Sequence, residues 1–313
     1  MQESSLKIPI LPAELITEIL LKLPVKSLLQ FRCASKSWLS LISTPEFIKA
    51  HLSMSANNKD YTHHRLIFVQ HDYNVELKGR ICTYLKDCTL SNVLDDSVIG
   101  AFDLDYPMKN PHKSVEIVGS VNGLICPTIE QEDLFLWNPS IRKFKKLPDF
   151  TAKLRLGYCI MYGIGYDEVH DDYKLVCVFR NSSYNISHYV EVNVYSLNSD
   201  SWTSINDFHS GEQLIRWGMF MNGKLHWASS TSHDFHSYCG WDISYIDLAH
   251  GKWGKMDTPC YGEGDFEFLP CLGVLGSDLS VFCNSRKTYT DVWVMKEYGV
   301  KESWTDVYHQ LYC

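Results

Sequence analysis

Four segments of this sequence can be laid over one another: LFLWNPSIRKF from Leu134, VNVYSLNSDSW from Val192, ISYIDLAHGKW from Ile243 and VWVMKEYGVKESW from Val292. Their starts lie 58, 51 and 49 residues apart. In the first three, an aromatic residue (Phe144, Trp202, Trp253) stands ten positions after the start. In the fourth, Trp304 stands twelve after, as if the turn were two residues longer. A further strand-like run precedes each segment: NGLIC, DYKLVCV, NGKLHW and GSDLSVF. A unit of several strands recurring about every 50 residues is the mark of propeller blades, nearest the kelch period. One such sheet cannot bury both faces alone, so neighbouring blades must pack to make the core. Trp202 and Trp253 are then expected to be buried at equivalent blade positions, as core aromatics.

Ahead of these strands the period is helical. Leu15, Ile16, Ile19, Leu20 and Leu23 recur at three- and four-residue steps, as on the apolar face of a helix. Pro12 suits the first helical position, where its missing N–H would be unpaired anyway. Pro24 ends that helix, and Val25 to Phe31 starts a second. Ser35 can cap a third through Trp38 and Ile42, and Thr44-Pro45 opens a fourth with Phe47, Ile48 and Leu52. The polar stretch SMSANNKDYT reads as a linker. The division expected is therefore a small all-α domain over residues 1–52, a linker over 53–62, and an all-β, propeller-like domain over 63–313.

Composition narrows the classes. Of the 313 residues 45% are hydrophobic and 21% charged, the balance of a globular chain. No apolar run reaches the length of about 18 residues that a spanning helix needs. The start, MQESSLKIPILPAEL, lacks the charged, apolar and cleavage regions of a secretory signal. The eleven cysteines form no C-x-x-C pair, and read as buried thiols in a reducing compartment, cytosol or nucleus. Formal charge is −8, with +2 over residues 1–60 and −10 over the rest. An acidic body argues against nucleic acid as a partner, and is compatible with a basic protein partner.

The opening segment resembles an F-box. The residues that carry the resemblance are Leu11-Pro12-x-Glu14-Leu15 leading to Ile19-Leu20, Leu23-Pro24-Val25-Lys26-Ser27-Leu28, Phe31-Arg32-Cys33 and Ser35-Lys36-Ser37-Trp38. The rest is similar to the F-box-associated, kelch-type region of the large plant F-box family. NGLIC, LFLWNPSIRKFKKLP, GIGYD with DDYKLV, VYSLNSDSW, NGKLHW, and YIDL with GKW follow in that order. The Gly-Gly pair of true kelch repeats is absent. Similar proteins run on beyond the Ser303-Trp304 pair, which implies an incomplete or differently closed last blade. The resemblance implies a non-catalytic substrate receptor of a cullin-based ubiquitin ligase. Its F-box would bind a Skp-type adaptor and, through it, the cullin, while the β domain would bind the protein to be ubiquitinated. The adaptor-binding residues it implies are Leu11, Pro12, Leu15, Ile19, Leu20, Leu23, Pro24, Leu28, Arg32, Lys36 and Trp38. An F-box protein working outside any ligase remains an alternative, as does a propeller enzyme acting on glycans.

For the substrate, the turns at Thr128–Asp133, Asn181–Tyr189, Ser229–Gly240 and Asn284–Thr290 are equivalent in the repeat alignment, and should emerge on one face. They carry Tyr184, Tyr189, His233, Phe235, His236, Tyr238 and Tyr289, rings suited to protein contact. The competing reading puts binding on an opposite face, at Asp207–Arg216 or Pro259–Leu269. No catalytic residue, cofactor or metal is expected. His233, His236 and Cys239 fall short of the four ligands of structural zinc. Gly163-Ile164-Gly165 reads as a strand-ending turn, since no third glycine or helix follows. Asp171-Asp172 and Glu132-Asp133 read as solvated turn residues, because neighbours on a strand point to opposite faces.

Overall fold

The computed structural model describes residues 11–58, 64–74, 80–90, 100–110, 113–130, 133–149, 158–181, 190–205, 208, 212–230, 241–260, 268–285 and 289–311. Four helices come first: α1 (Ala13–Leu21), α2 (Val25–Ala34), α3 (Lys36–Ile42) and α4 (Pro45–Ala56). Pro12 and Pro24 take extended backbone just before α1 and α2, so Pro12 sits one residue outside the helix it was expected to begin. Thr44 caps α4, accepting from the Phe47 N–H at 3.2 Å with Pro45 following it. That helix runs on to Ala56, into the stretch read as linker, because Met54 and Ala56 favour helix and no breaker intervenes.

The strands begin with β1 (Arg65–Asn74), β2 (Arg80–Thr89) and β3 (Phe102–Asp103), which form one sheet in that order. The next four, β4 (Val115–Val121), β5 (Leu124–Ile129), β6 (Asp133–Asn138) and β7 (Lys143–Lys146), form a second sheet. A third group is β8 (Tyr158–Asp167), β9 (Asp172–Asn181), β10 (Val190–Ser196) and β11 (Ser201–Ile205). A fourth is β12 (Gln213–Met221), β13 (Lys224–Ser230), β14 (Trp241–Asp247) and β15 (Trp253–Met256). The last is β16 (Phe268–Leu275), β17 (Asp278–Ser285), β18 (Tyr289–Met295) and β19 (Trp304–Leu311). It has four strands, like the three groups immediately before it. The four aligned segments are the third and fourth strands of successive sheets, so the repeat is a four-stranded propeller-blade unit. A 3-10 turn at Lys301–Ser303 takes up the longer spacing of the fourth segment. The chain divides into two compact units: Met1–Val115 with Asn138–Phe144, and Glu116–Trp137 with Lys145–Cys313.

Two of these repeats join edge to edge. β8 and β12 pair in parallel at Gly163 and Gly218, giving an eight-stranded sheet. The reason for glycine there is contact. A Cβ on Gly218 would lie 2.5 Å from Cζ2 of the Trp227 indole, and one on Gly163 would lie 2.9 Å from the same atom. Trp227 is wholly buried. Gly163 and Gly165 therefore lie inside β8 and do not end it. The turn begins at Asp167, whose Oδ1 accepts from the backbone N–H groups of Val169 and His170. Asn138 and Asp247 open their turns in the same way, the side chain standing in for a backbone acceptor. Asp172, expected in solvent, is instead buried. Its carboxylate accepts from Ser196 Oγ at 2.6 Å and Asn198 N–H at 3.0 Å, because β9 starts where the β10–β11 turn folds over it.

The aromatic that ends each aligned segment, ten positions after the start in three and twelve in the fourth, does not behave uniformly. Trp304 is buried, Trp202 and Trp253 are half-buried, and Phe144 is exposed. The fourth strand is the outer edge of its sheet, so its ring is covered from one side only. Two of the indoles nevertheless reach back to the connection that follows the preceding repeat. Trp202 Nε1 donates to the Pro148 carbonyl at 2.7 Å, and Trp304 Nε1 to the Asp257 carbonyl at 3.0 Å.

Strand direction corrects one expectation. In the eight-stranded sheet and in β16–β19, successive strands within each repeat are antiparallel. The link from second to third strand, the entry to the first and the exit from the fourth then share one end. The connections at Asp207–Arg216 and Pro259–Leu269 thus leave from the same end as Asn181–Tyr189 and Ser229–Gly240. The opposite end holds the short turns.

A buried histidine links the last two repeats at the short-turn end. His226 is fully buried on β13, with Nδ1 3.2 Å from the Met219 carbonyl and Nε2 2.7 Å from Tyr298 Oη in the β18–β19 turn. Burial pushes its pKa down to about 4, and the nearby Lys224 ammonium adds to this against the hydrogen bond to Met219. Lys224 itself lies over the Tyr245 ring at 4.5 Å.

Two outcomes are expected. Gly218→Ala forces the added methyl into the Trp227 ring and should lower the unfolding free energy by about 1–3 kcal/mol, read from urea midpoints. For His226, the unfolded chain takes up its proton near pH 6.5 and the folded chain only near 4. Between those values the unfolded state binds more protons, so the stability present above pH 6.5 falls as pH drops. His226→Phe should remove about one proton from that acid-side slope in urea titrations at pH 7 and 5.

Candidate adaptor-docking site

The helices hold a small core. Leu20 of α1, Leu28 of α2, Ile42 of α3 and Phe47 of α4 are buried together, with Ile16, Leu21, Leu23, Phe31, Trp38 and Leu41 packed around them. Phe31 and Trp38 meet edge to face at 5.3 Å between centroids. His51 of α4, buried, makes a 2.8 Å hydrogen bond from Nε2 to the Leu23 carbonyl. It fixes the fourth helix to the α1–α2 turn, where Pro24 supplies no N–H. Sequence reasoning passed over His51, because a lone histidine in a helical run carries no periodic signal.

With that core in place, α1 still presents apolar side chains to solvent. Leu11, Leu15 and Ile19 are 53%, 45% and 50% exposed. They stand four residues apart, so they form one stripe along the helix and its approach. Val25 and Leu39 are exposed as well. The residues expected to bind an adaptor thus fall into two sets. Leu11, Pro12, Leu15, Ile19, Pro24, Arg32 and Lys36 are exposed, whereas Leu20 and Leu28 are interior, and Leu23 and Trp38 are half-buried against that interior. The i, i+4 period drew both faces of α1 into one group. Burial separates them.

The expected substrate residues Tyr184, Tyr189, His233, Phe235, His236 and Tyr238 lie outside the described residues, as does the side chain of Tyr289, whose backbone opens β18. At the same end of the third repeat the structure adds a polar cluster that the sequence did not reveal. Glu212, buried, accepts from Ser244 Oγ at 2.7 Å through Oε2 and from Lys255 Nζ at 2.6 Å through Oε1. Ser229 Oγ lies 2.7 Å from Ser244 Oγ, and Lys255 also reaches Asp242 at 3.3 Å. The hydrogen bond to Glu212 raises the Lys255 pKa. The group ties the start of β12 to β14 and β15. Among the described residues no group of three or more His, Cys, Asp or Glu could hold a metal, and no helix is long and apolar enough to cross a membrane.

Comparison with known proteins follows the same division. The F-box domain family matches residues 8–50, and the F-box associated beta propeller domain family matches residues 59–312. An F-box/kelch-repeat protein of Arabidopsis thaliana is 32% identical over 94% of this chain and 78% of its own length. The F-box protein CPR1 of Arabidopsis thaliana is 31% identical over 95% of this chain and 72% of its own length. Among solved structures, an oligogalacturonate lyase in complex with manganese gives a TM-score of 0.42 at 10% identity, over 79% of this chain and 61% of that one. A lectin of Aleuria aurantia gives 0.42 at 8%, over 82% and 81%. With four N-terminal helices, repeated four-stranded sheets and family matches to both parts, this chain belongs to the plant F-box proteins that carry an F-box-associated β-propeller domain.

Proposed function

We propose that the chain is the substrate-receptor subunit of a Skp–cullin–F-box ubiquitin ligase. The observation that carries this reading is the stripe of Leu11, Leu15 and Ile19. The helical core closes without these three side chains, yet half of each is in water. Burying a large aliphatic side chain is worth about 1.5–3 kcal/mol relative to leaving it exposed, so a partner face that covers the stripe gains substantially. The F-box match over residues 8–50 supports a Skp-type adaptor as that partner. Pro12, Pro24, Arg32 and Lys36 then border the contact, and Leu20, Leu23, Leu28 and Trp38 support it from behind.

In this reading the β region, from about residue 63, holds the protein substrate at the end of the sheets where the long connections gather. It performs no catalysis, and neither membrane nor nucleic acid takes part. A cytosolic or nuclear setting suits the free cysteines, of which Cys126 and Cys177 are wholly buried. Burial raises both of their pKa values and keeps them as thiols.

Two substitutions separate the two sets of helical residues. Leu15→Asp should leave the unfolding midpoint nearly unchanged, since a half-exposed surface position usually shifts stability by about 0.5 kcal/mol or less. It should abolish co-purification with a Skp-type adaptor, because a charge is then buried in an apolar contact at a cost of several kcal/mol. Leu20→Ala should instead destabilise the helical domain by about 2–5 kcal/mol. Wild-type adaptor capture by a folded Leu15→Asp protein would refute the assignment. A wild-type protein that binds adaptor but never recruits cullin in reconstitution would support a role outside the ligase.

A further inference from the structure

The turn between β6 and β7 departs from its three counterparts in three independent ways. Position eight of the aligned segment has a left-handed backbone in the first three repeats, with φ of 53° at Arg142, 51° at Asp200 and 66° at Gly251. Aspartate and glycine suit that conformation, and arginine does not. Ten residues after the start in the second and third segments, and twelve in the fourth, stands a tryptophan that is half-buried or buried, whereas Phe144 is 55% exposed and Ile141 beside it is 40% exposed. The third departure is charge. Residues 142–146 hold four cations, Arg142, Lys143, Lys145 and Lys146, in a region whose net charge is −10. Lys145 and Lys146 are paired with Asp200 and Asp133. Arg142 and Lys143 are exposed and have no ion-pair partner among the described residues.

Lysines on an edge strand ordinarily keep sheets from pairing with one another. That explanation accounts for Lys145 and Lys146, but an exposed phenylalanine and isoleucine work against it. A left-handed arginine at the tip adds local strain where aspartate or glycine would have avoided it. Breaks of local rule are expected at functional or strained sites.

We propose that Ile141, Arg142, Lys143 and Phe144 form a docking surface for an acidic, extended segment of the protein substrate. Among the described residues β7 pairs with β6 and is the edge of its sheet, so its outer backbone groups can accept a further strand. Phe144 and Ile141 supply apolar contact, and Arg142 and Lys143 match carboxylates on the incoming chain. An anionic membrane would meet the same cations. It makes no use of a strand edge, however, whereas an extended peptide would pair with it. This inference rests on the receptor reading above, and names the chemistry of what the receptor reads.

The test uses the full chain co-purified with its Skp-type adaptor, and fluorescence anisotropy with a labelled ten-residue peptide alternating Glu and Val. The matching Lys–Val peptide and phosphatidylserine vesicles serve as competing probes. The expected result is binding of the Glu–Val peptide that weakens with salt and falls about tenfold or more in Arg142→Glu with Lys143→Glu. Phe144→Ala should weaken it by a smaller factor. Arg142→Gly relieves the left-handed strain, so it should fold at least as stably as the parent and still bind more weakly. Equal binding of both peptides, binding to vesicles in preference to the peptide, or Glu–Val affinity unchanged in all three variants would each overturn the proposal. Adaptor retention is scored separately. Loss of adaptor from the unsubstituted chain defeats the receptor reading, and leaves the peptide measurement to judge the hairpin.

Discussion

At Gly163 and Gly218 the first strands of two successive repeats run in parallel, and the Trp227 indole packs against the space where their side chains would be. The arrangement of the β region depends on that contact. Glycine at both positions lets the ring approach the backbone, and the ring in turn excludes water from a place where two sheets meet. Because strands alternate in direction within each of these two repeats, and β8 and β12 run the same way, both repeats start and finish at one end. The short turns of these two repeats, opened by Asp167 and Asp247, occupy the other. Lys174 reinforces that short-turn end, spanning from the Asp167 carboxylate at 2.7 Å to the Leu248 carbonyl at 2.6 Å. Burial alone would raise the Asp167 pKa, but the hydrogen bonds from Lys174 and His170 hold it at about 2.

Much of this was legible in the sequence, and what was not has identifiable causes. The repeat could be read because third and fourth strands alternate aliphatic and polar residues around a turn, so their order survives as pattern. Gly163 and Gly165 were misread as a turn, since a glycine inside a strand and one at its end look alike without the ring that packs on it. The burial of Asp172 is not legible because its acceptor role depends on Ser196 at the end of β10 and Asn198 in the turn after it. The Trp202 and Trp304 indoles bond to carbonyls far away in the chain, and no local pattern encodes that. On α1, spacing identified the apolar residues but could not divide Leu20 from Ile19. Adjacent residues on a helix point about 100° apart, and only the positions of α2, α3 and α4 decide which is covered.

The helical domain and the hairpin at Asn138–Arg142 show two ways in which apolar surface stays in water. On α1 a regular stripe is left over after a core has closed, and its geometry is that of a helix face ready for a complementary groove. On β7 the exposed ring stands among cations on a sheet edge, and the geometry is that of an extended chain. Under the two proposals each pattern would take a different shape of partner, a helix-covering groove on one and an extended chain on the other.

The placement of both ends of two joined repeats at one side of the eight-stranded sheet has a consequence for how such a chain can change over generations. A lengthened connection, whether within a repeat or between repeats, adds material to one side and leaves the short turns undisturbed. Insertion in those connections would therefore alter that side of the sheet without lengthening any strand. The tryptophan and glycine contacts that hold the repeats together stay outside the region under trial.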